Sequence, residues 1–439
     1  RIAYTSLRGG NYDVFVVDPP KFAPTQKDLP ASLKFYHLLN ALSIGLVLPC
    51  GPAGRTPGPS PPGPPPWTPG TTRVAPHSPD DDLEKPMNYR CAHRWTFTKW
   101  GGALNETSDE LAPPAGAEVT VRVTHCGMCH SDLHIQAGGF DMGGGKLSSL
   151  ERAGTALPVT MGHEIGGEVV EIGPEAQGVK VGDQVIVYPW LGCGRCPTCE
   201  RGDEHLCVRA MRNLGMQLPG GYADLVRVPH AKYLVPIGTL DPARAATFAC
   251  AGITAYGAIT KLDPMDADDW VAVIGCGGVG MTAVALLSAT RKAKVVAIDP
   301  DPAKREAALA YGAALAFDPG APDAARTIGK ACAMNIAGAV DFVGSESSSA
   351  LGVNLVRRTG QVVIVGLFGG ELRMPLPLFP LKSLRLTGSY VAGLNELREL
   401  VALAQRVALP QTPIELRPMA GVNQALGDLA QGRVVGRVV

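Results

Sequence analysis

Cys193, Cys196, Cys199 and Cys207 follow one another as C-x2-C-x2-C-x7-C. Four thiolates at that spacing close a tetrahedral shell around a divalent ion with no open position, the donor set of a structural zinc, although an iron–sulfur cluster uses the same donor type. His205 falls inside the loop, but a fifth donor has no place in a closed shell, and it is expected at the surface. A second constellation, His125-Cys126-Gly-Met-Cys129-His130-Ser131-Asp132-Leu-His134, packs thiols, imidazoles, a hydroxyl and a carboxylate into ten residues. Downstream stand Gly162-His163-Glu164 and an isolated Cys250. Two thiolates and one imidazole leave zinc a fourth position for water or substrate, and zinc so held is a Lewis acid that lowers the pKa of a bound hydroxyl. By spacing alone, Cys250 reads equally as a small buried hydrophobe and His163 as a hydrogen-bonded core residue. The third constellation is Gly275-Cys276-Gly277-Gly278-Val279-Gly280, a GxGxxG loop that can cradle a pyrophosphate on backbone N–H groups at a helix N-terminus.

The elements around these residues decide whether such chemistry is available. From Val119 to about Val235 the runs VTVRVTH, GGEVVEIG, DQVIVYP and DLVRVP, broken by Gly and Pro, predict an antiparallel β-rich domain. From Ala251 onward the pattern switches to strands alternating with helices: WVAVIG, MTAVALLSAT, KVVAID, AKREAALAYGA. That alternation predicts a parallel doubly wound sheet, so the fold class is α/β. The GxGxxG loop then stands between the strand Val271–Ile274 and a helix, the context a dinucleotide site requires. Strand Lys294–Ile298 ends at Asp299, nineteen residues past Gly280. An acid there accepts hydrogen bonds from the adenosine ribose and repels a 2′-phosphate, which favours NAD over NADP. Lys304 is within sequence reach of the same ribose, and a solvated helix position explains it equally well. Cys276 occupies a variable position of the loop and is expected to be inert. The strands Gly338–Val343 and Gln361–Gly366 end in further glycine-rich turns, where crevice ligands bind.

Residues 1–86 differ from the rest. Arg1–Asp18 reads as a β-hairpin resembling a single TolB-type propeller repeat, which alone cannot close a propeller. The apolar run Phe35–Leu48 is too short for a membrane span. Ten prolines fall between Pro49 and Pro69, and Gly51–Pro86 is expected to be an extended linker. This atypical Pro-rich extension is expected to stand outside the fold, with the working protein beginning near Met87. Over all 439 residues, 40 basic side chains balance 40 acidic ones. That balance gives no support for a nucleic-acid or membrane partner. The cysteine knuckle carries only Arg195 and Arg201 against Glu200, Asp203 and Glu204, no basic stripe. Eight of the eleven cysteines lie between Cys126 and Cys276 in short spacings, which points to metal ligation in a reducing, cytoplasmic setting rather than to disulfides.

Taken together, CGMCHSDLH, GHEIGGEVVEIG, VGDQV, the four-cysteine lobe and CAGITAY followed by a GxGxxG strand resemble the zinc-containing medium-chain alcohol dehydrogenases, from about Met87 to the C-terminus. The resemblance implies a β-rich GroES-like catalytic domain (87–250 and 395–439, with a structural zinc lobe at 190–210) and a Rossmann coenzyme domain (251–394). It implies two Zn2+ per chain and NAD. Cys129, His163 and Cys250 match the catalytic zinc ligands, and Cys126 is then a structural cysteine. Glu164 matches a carboxylate beside the metal, and Asp132 an acceptor that orients His163. Ser131 and His134 match a proton relay. His130 matches a residue facing the pyrophosphate, Val343 and Gly366–Leu367–Phe368 the nicotinamide pocket, and Arg437 a group approaching the cofactor phosphates. The implied reaction is reversible oxidation of an alcohol to an aldehyde or ketone, by a homodimer or homotetramer. A polyol, sugar or formaldehyde-type dehydrogenase of the same superfamily is the alternative, and a non-catalytic zinc- and NAD-binding interaction protein a second one. Two cysteine ligands favour simple alcohols, and Trp190 is a candidate to narrow the pocket. The stretch between His134 and His163 is longer than in the better-known members. In that family it lies near the substrate cleft.

Overall fold

The computed structural model describes residues 2–8, 11–17, 91–410 and 412–439. Two units are present, 1–81 and 82–439. In the first, Ile2–Arg8 pairs antiparallel with Asn11–Val17, from Ile2 opposite Val17 to Arg8 opposite Asn11, the hairpin expected from the alternating pattern. The apolar run 35–48, the Pro-rich stretch 51–86 and Met87 lie outside the described residues.

The second unit contains two kinds of sheet. A five-stranded antiparallel sheet runs in the order Leu225–Val228, Val119–Gly127, Glu164–Ile172, Gln184–Val187, Leu234–Pro236. Val121, Ile165, Val169 and Ile186 of its strands are completely buried, which is why the β-type runs form here. The register of its central pair sets Gly127 opposite Glu164 and Cys126 opposite Ile165. Cys129, just past the first strand, is thereby brought beside His163, just before the second. A three-stranded sheet, Asn105–Glu110, Cys91–Phe97, Val159–Thr160, flanks it.

The later strands form a six-stranded parallel sheet in the order Leu315–Phe317, Lys294–Ile298, Trp270–Ile274, Ile336–Asp341, Gln361–Ile364, Arg385–Gly388. Trp270–Ile274 and Ile336–Asp341 are buried along their whole length, as parallel strands covered on both faces must be. Strand order reverses between these two, so a crevice opens beyond their C-terminal ends. The chain then returns toward the antiparallel sheet: Leu394–Arg406 packs on Ile253–Thr260, and Val422–Ala430 packs on His130–Ala137. Arg437–Val438 pairs parallel with Ile414–Glu415, and the Met128 N–H donates to the Val438 carbonyl at 2.9 Å. Among the described residues, no helix is long and apolar enough to cross a membrane.

Candidate functional site

Three donors from three separate elements meet at one point. Cys129 is the N-cap of the helix His130–Ala137, His163 precedes the strand Glu164–Ile172, and Cys250 lies in a π-helical turn, Phe248–Gly252. Such turns in otherwise α-helical segments often occur at functional sites. The Cys129 and Cys250 sulfurs are 3.9 Å apart, and the imidazole nitrogen lies within 4.8 Å of both. Tetrahedral zinc–sulfur geometry sets two sulfurs about 3.8 Å apart, so the spacing fits an ion and is far too long for a disulfide. All three residues are buried, and His163 Nε2 has no hydrogen-bond partner among the described residues. The Cys250 thiol, by hydrogen bonding, holds Cys129 well below the usual thiol range. The same interaction, with burial and the Cys129 charge, pushes Cys250 up. A cation between them removes the obstacle to ionising both. The donor set therefore fits zinc.

Asp132 stands behind this trio, completely buried. One carboxylate oxygen accepts the Cys129 N–H at 2.9 Å and the Tyr222 hydroxyl at 3.0 Å, and the other lies 3.2 Å from His163 Nδ1. As the third residue of its helix it reaches back to the N-terminal turn, where a carboxylate is favoured. With Nδ1 facing Asp132, Nε2 is left toward the thiols. Glu164, also buried, accepts the Ala251 N–H at 3.1 Å and ion-pairs with Arg437 at 2.6 Å. Burial raises its pKa to about 7 against the opposing pull of Arg437. Arg437 donates in addition to the Met128 carbonyl at 2.9 Å. Its stem lies against Gly278, so it spans from the metal-ligand side to the glycine loop. Cys126 stands outside the trio. Its sulfur packs on Gly162 and Gly221, and burial pushes its thiol well up.

Ser131 Oγ is 3.7 Å from the Cys129 sulfur, and the ring of His134, one helical turn on, lies tilted 5.1 Å from that of Phe140. Burial lowers the His134 pKa. Both line a cavity of about 300 Å³ with His130, Cys129 and Cys250. The opposite wall carries Gly275, Gly277, Gly278, Val279, Gly280, Asp299, Lys304, Val343, Gly366, Leu367, Phe368 and Arg437. Residues separated by more than 300 positions therefore share one cleft. A Cβ on Gly280 would collide with the Gly275 carbonyl, so the loop-to-helix turn demands glycine there. Asp299 accepts the Cys276 N–H at 2.7 Å and the Asp301 N–H at 2.9 Å, which ties the end of its strand to the glycine loop. The Cys276 thiol is buried and pushed up to about 12. Lys304 lies 3.8 Å from Asp301.

The four lobe cysteines also converge, with ligand atoms within 4.8 Å of one another. Sulfur pairs stand 3.9 Å (Cys193–Cys199), 3.4 Å (Cys196–Cys199) and 3.9 Å (Cys196–Cys207) apart. The N–H groups of Cys193 and Ala210 point at the Cys207 sulfur, each at 3.4 Å, as donors to a ligating thiolate do. His205 departs from expectation: it is buried, at 6% exposure. Glu204 pins the turn by accepting from Tyr233 and Lys232 at 2.6 Å and from Gly192 at 3.2 Å, and that turn carries His205 inward and Leu206 outward.

Several cleft residues escaped the sequence. The Thr254 hydroxyl is buried without a hydrogen-bond partner among the described residues and lines the cleft. It sits one helical turn after Cys250, a spacing that places it on the same face. Phe140 belongs to the long stretch between His134 and His163, which forms the hairpin Gly139–Asp141 and Leu147–Ser149. Met216 and Tyr390 in the cleft, and Tyr222 behind it on Asp132, carry no local signal, because only tertiary packing brings them in. Trp190 lines the cleft with its ring 5.4 Å from His163, and its N–H donates to the Ala249 carbonyl at 3.2 Å.

Residues 115–239 match the alcohol dehydrogenase GroES-like domain, and residues 278–406 match the zinc-binding dehydrogenase family. An NAD-dependent alcohol dehydrogenase of Sulfurisphaera tokodaii is 34% identical over 75% of this chain and 94% of its own length. The crystal structure of an alcohol dehydrogenase from Aeropyrum pernix superposes with a TM-score of 0.70 at 29% identity, covering 79% of this chain and 98% of that one. A D-arabinose dehydrogenase from Sulfolobus solfataricus superposes with a TM-score of 0.65 at 27% identity, covering 75% and 98%.

Proposed function

The chain belongs to the zinc-containing medium-chain alcohol dehydrogenases, and on that premise we propose that it oxidises an alcohol reversibly to an aldehyde or ketone, with NAD as hydride acceptor. The observation that carries this is the buried Cys129, His163 and Cys250 set opening onto a cleft whose far wall is the glycine loop and Asp299. Zinc held by these three supplies Lewis acidity toward the substrate oxygen, and NAD supplies the hydride acceptor. The four lobe cysteines hold a second, structural zinc.

The chain's own residues do the rest. Asp132 fixes the His163 ring so that Nε2 faces the thiols. Ser131, against Cys129, accepts the hydroxyl proton as its own proton passes on to His134, whose lowered pKa favours the neutral form that takes it up and releases one to water. Arg437 and Glu164 neutralise one another beneath the site. Gly275–Gly280 would offer backbone N–H groups to the pyrophosphate with His130 and Arg437, Asp299 and Lys304 would hold the adenosine ribose, and Val343 and Gly366–Phe368 the nicotinamide. Phe140, Trp190 and Met216 supply apolar walls at the substrate end. The apolar walls, with two thiolates rather than a carboxylate beside the imidazole, favour simple alcohols over polyols.

We extend the proposal to a catalytic domain of residues 87–250 and 395–439 and a coenzyme domain of residues 251–394. The six ligand thiols fit the reducing cytoplasm. A homodimer or homotetramer is supported by the strand Arg385–Gly388 at the margin of the parallel sheet, with an outer edge unpaired among the described residues. Sedimentation of the zinc-loaded protein tests that assembly. The activity is tested by NADH absorbance over a panel of alcohols. Turnover of primary or secondary alcohols is expected. Turnover of sorbitol alone would favour a polyol enzyme, and none at all a non-catalytic protein.

A further inference from the structure

The coenzyme-side wall of the cleft is organised by one buried carboxylate that no step above uses. Asp341 ends the strand Ile336–Asp341 and is completely buried. Its Oδ1 accepts the N–H groups of Val343 at 2.9 Å and Gly344 at 3.0 Å. Its Oδ2 accepts the hydroxyls of Ser348 at 2.9 Å and Ser349 at 2.7 Å, from the first turns of the helix Glu346–Leu355. Its main-chain oxygen takes the N–H groups of Val365 at 2.9 Å and Gly366 at 3.0 Å, where the neighbouring strand leaves the sheet. One residue thus ties down the two turns that supply Val343 and Gly366–Phe368 to the cleft.

The two turns also lock onto each other. The Phe368 N–H donates to Val343 O, and the Gly369 N–H to Gly344 O, both at 3.1 Å. Gly344 has φ +70°, and a Cβ there would overlap the Gly366 carbonyl, so backbone lies directly on backbone. Such an interface has no side chain to absorb a shift, and a displaced Val343 turn displaces Gly366 with it. A carboxylate suits the junction because its two oxygens accept from four donors at once, whereas an amide has one acceptor oxygen and brings two donors of its own.

We propose that Asp341 is a positioning residue for the nicotinamide end of the dinucleotide, holding the Val343–Gly344 turn and the Val365–Phe368 turn at the separation the ring requires. This rests on the NAD-dehydrogenase reading given above. The adenosine end is served by Gly275–Gly280 and Asp299 at other strand ends, so the role is specific to one half of the cofactor.

ADP-ribose, which lacks the nicotinamide, separates the two halves. Binding of NAD and of ADP-ribose is measured by calorimetry on the zinc-loaded full chain, wild type and Asp341→Asn. The variant is expected to bind NAD roughly ten- to hundredfold more weakly while ADP-ribose stays within about twofold, the scale of losing hydrogen bonds to a charged group. Equal loss of both ligands, or loss of neither, overturns the proposal. Should Asp341→Asn fail to fold, Ser348→Ala/Ser349→Ala keeps the carboxylate and removes two of its donors. A smaller loss confined to NAD is expected there, and an equal loss or none again overturns it. A wild-type protein that binds neither ligand overturns the dehydrogenase reading and this proposal with it.

Discussion

Asp132→Asn is the most telling single change at the metal centre. The carboxylate has three partners: the Cys129 N–H at 2.9 Å, the Tyr222 hydroxyl at 3.0 Å and His163 Nδ1 at 3.2 Å. An amide oxygen can keep the first two. Its NH2 group then faces His163 Nδ1, a donor against a donor. The imidazole resolves that conflict by moving its proton to Nε2, the nitrogen that faces the thiols, or by turning away, and either response removes it as a ligand. Losing a charge-assisted hydrogen bond in a buried site costs roughly 1.5–3 kcal/mol, or about ten- to hundredfold in zinc affinity. Competition with a chromophoric chelator reads this directly, with the four-thiolate lobe as internal reference, since the two donor sets are separate. One zinc per chain is expected to leave at correspondingly lower chelator concentration, kcat/KM is expected to fall by a similar factor, and the second zinc to stay. Tyr222→Phe removes one hydroxyl donor to the same carboxylate, costs roughly 1.5–3 kcal/mol of stability and keeps both metals. Asp132→Asn protein that held both zincs against the same chelator, with kcat/KM intact, would refute the claim that Asp132 sets the His163 tautomer.

Cys199→Ser leaves the lobe three thiolates, and loss of one zinc with a lower thermal midpoint is expected. Glu204 still ties the segment to Tyr233 and Lys232, so the catalytic zinc, measured by the same chelator assay, should remain. Asp299→Ser removes the proposed ribose acceptor and the charge that would oppose a 2′-phosphate. The KM for NAD should rise by roughly tenfold while NADP turnover appears, and an unchanged NAD/NADP ratio would count against the assignment. Burial lowers the His134 pKa beneath its ordinary 6.5, so the folded chain binds the proton less tightly than the unfolded one. Its contribution to stability is therefore present above 6.5 and lost as pH falls through the depressed folded value. Alcohol oxidation should likewise rise with pH through that value, and His134→Gln should flatten this limb of the kcat/KM profile.

Short-range periodicity made much of the molecule legible. The alternating runs around Val121 and Val169 became strands of the antiparallel sheet, and the βαβ pattern after Ala251 became the parallel one, because burial on one face or both is a local property of the pattern. Cys193–Cys207 converge because four ligands within fifteen residues leave the backbone few ways to keep them apart. The GxGxxG turn was readable for the same reason, since Gly280 meets an atom of Gly275 within its own loop. His205 was misjudged because its direction depends on Glu204 reaching Tyr233 and Lys232, more than twenty-five positions away.

Residue type and spacing alone thus determined which side chains are candidates for the chemistry, the kind of sheet each run joins and the donor set of the lobe. Only the tertiary structure decided that Cys129, His163 and Cys250 lie within 4.8 Å of one another while Cys126 does not. It also decided that Tyr222 closes the hydrogen bonds of Asp132, that Arg437 reaches Glu164, and that Asp341 governs two turns of the cleft at once. The physical reason is range. Propensity, capping and turn geometry act over a few residues, whereas these contacts join positions from two dozen to several hundred apart and exist only once the sheets are registered and packed.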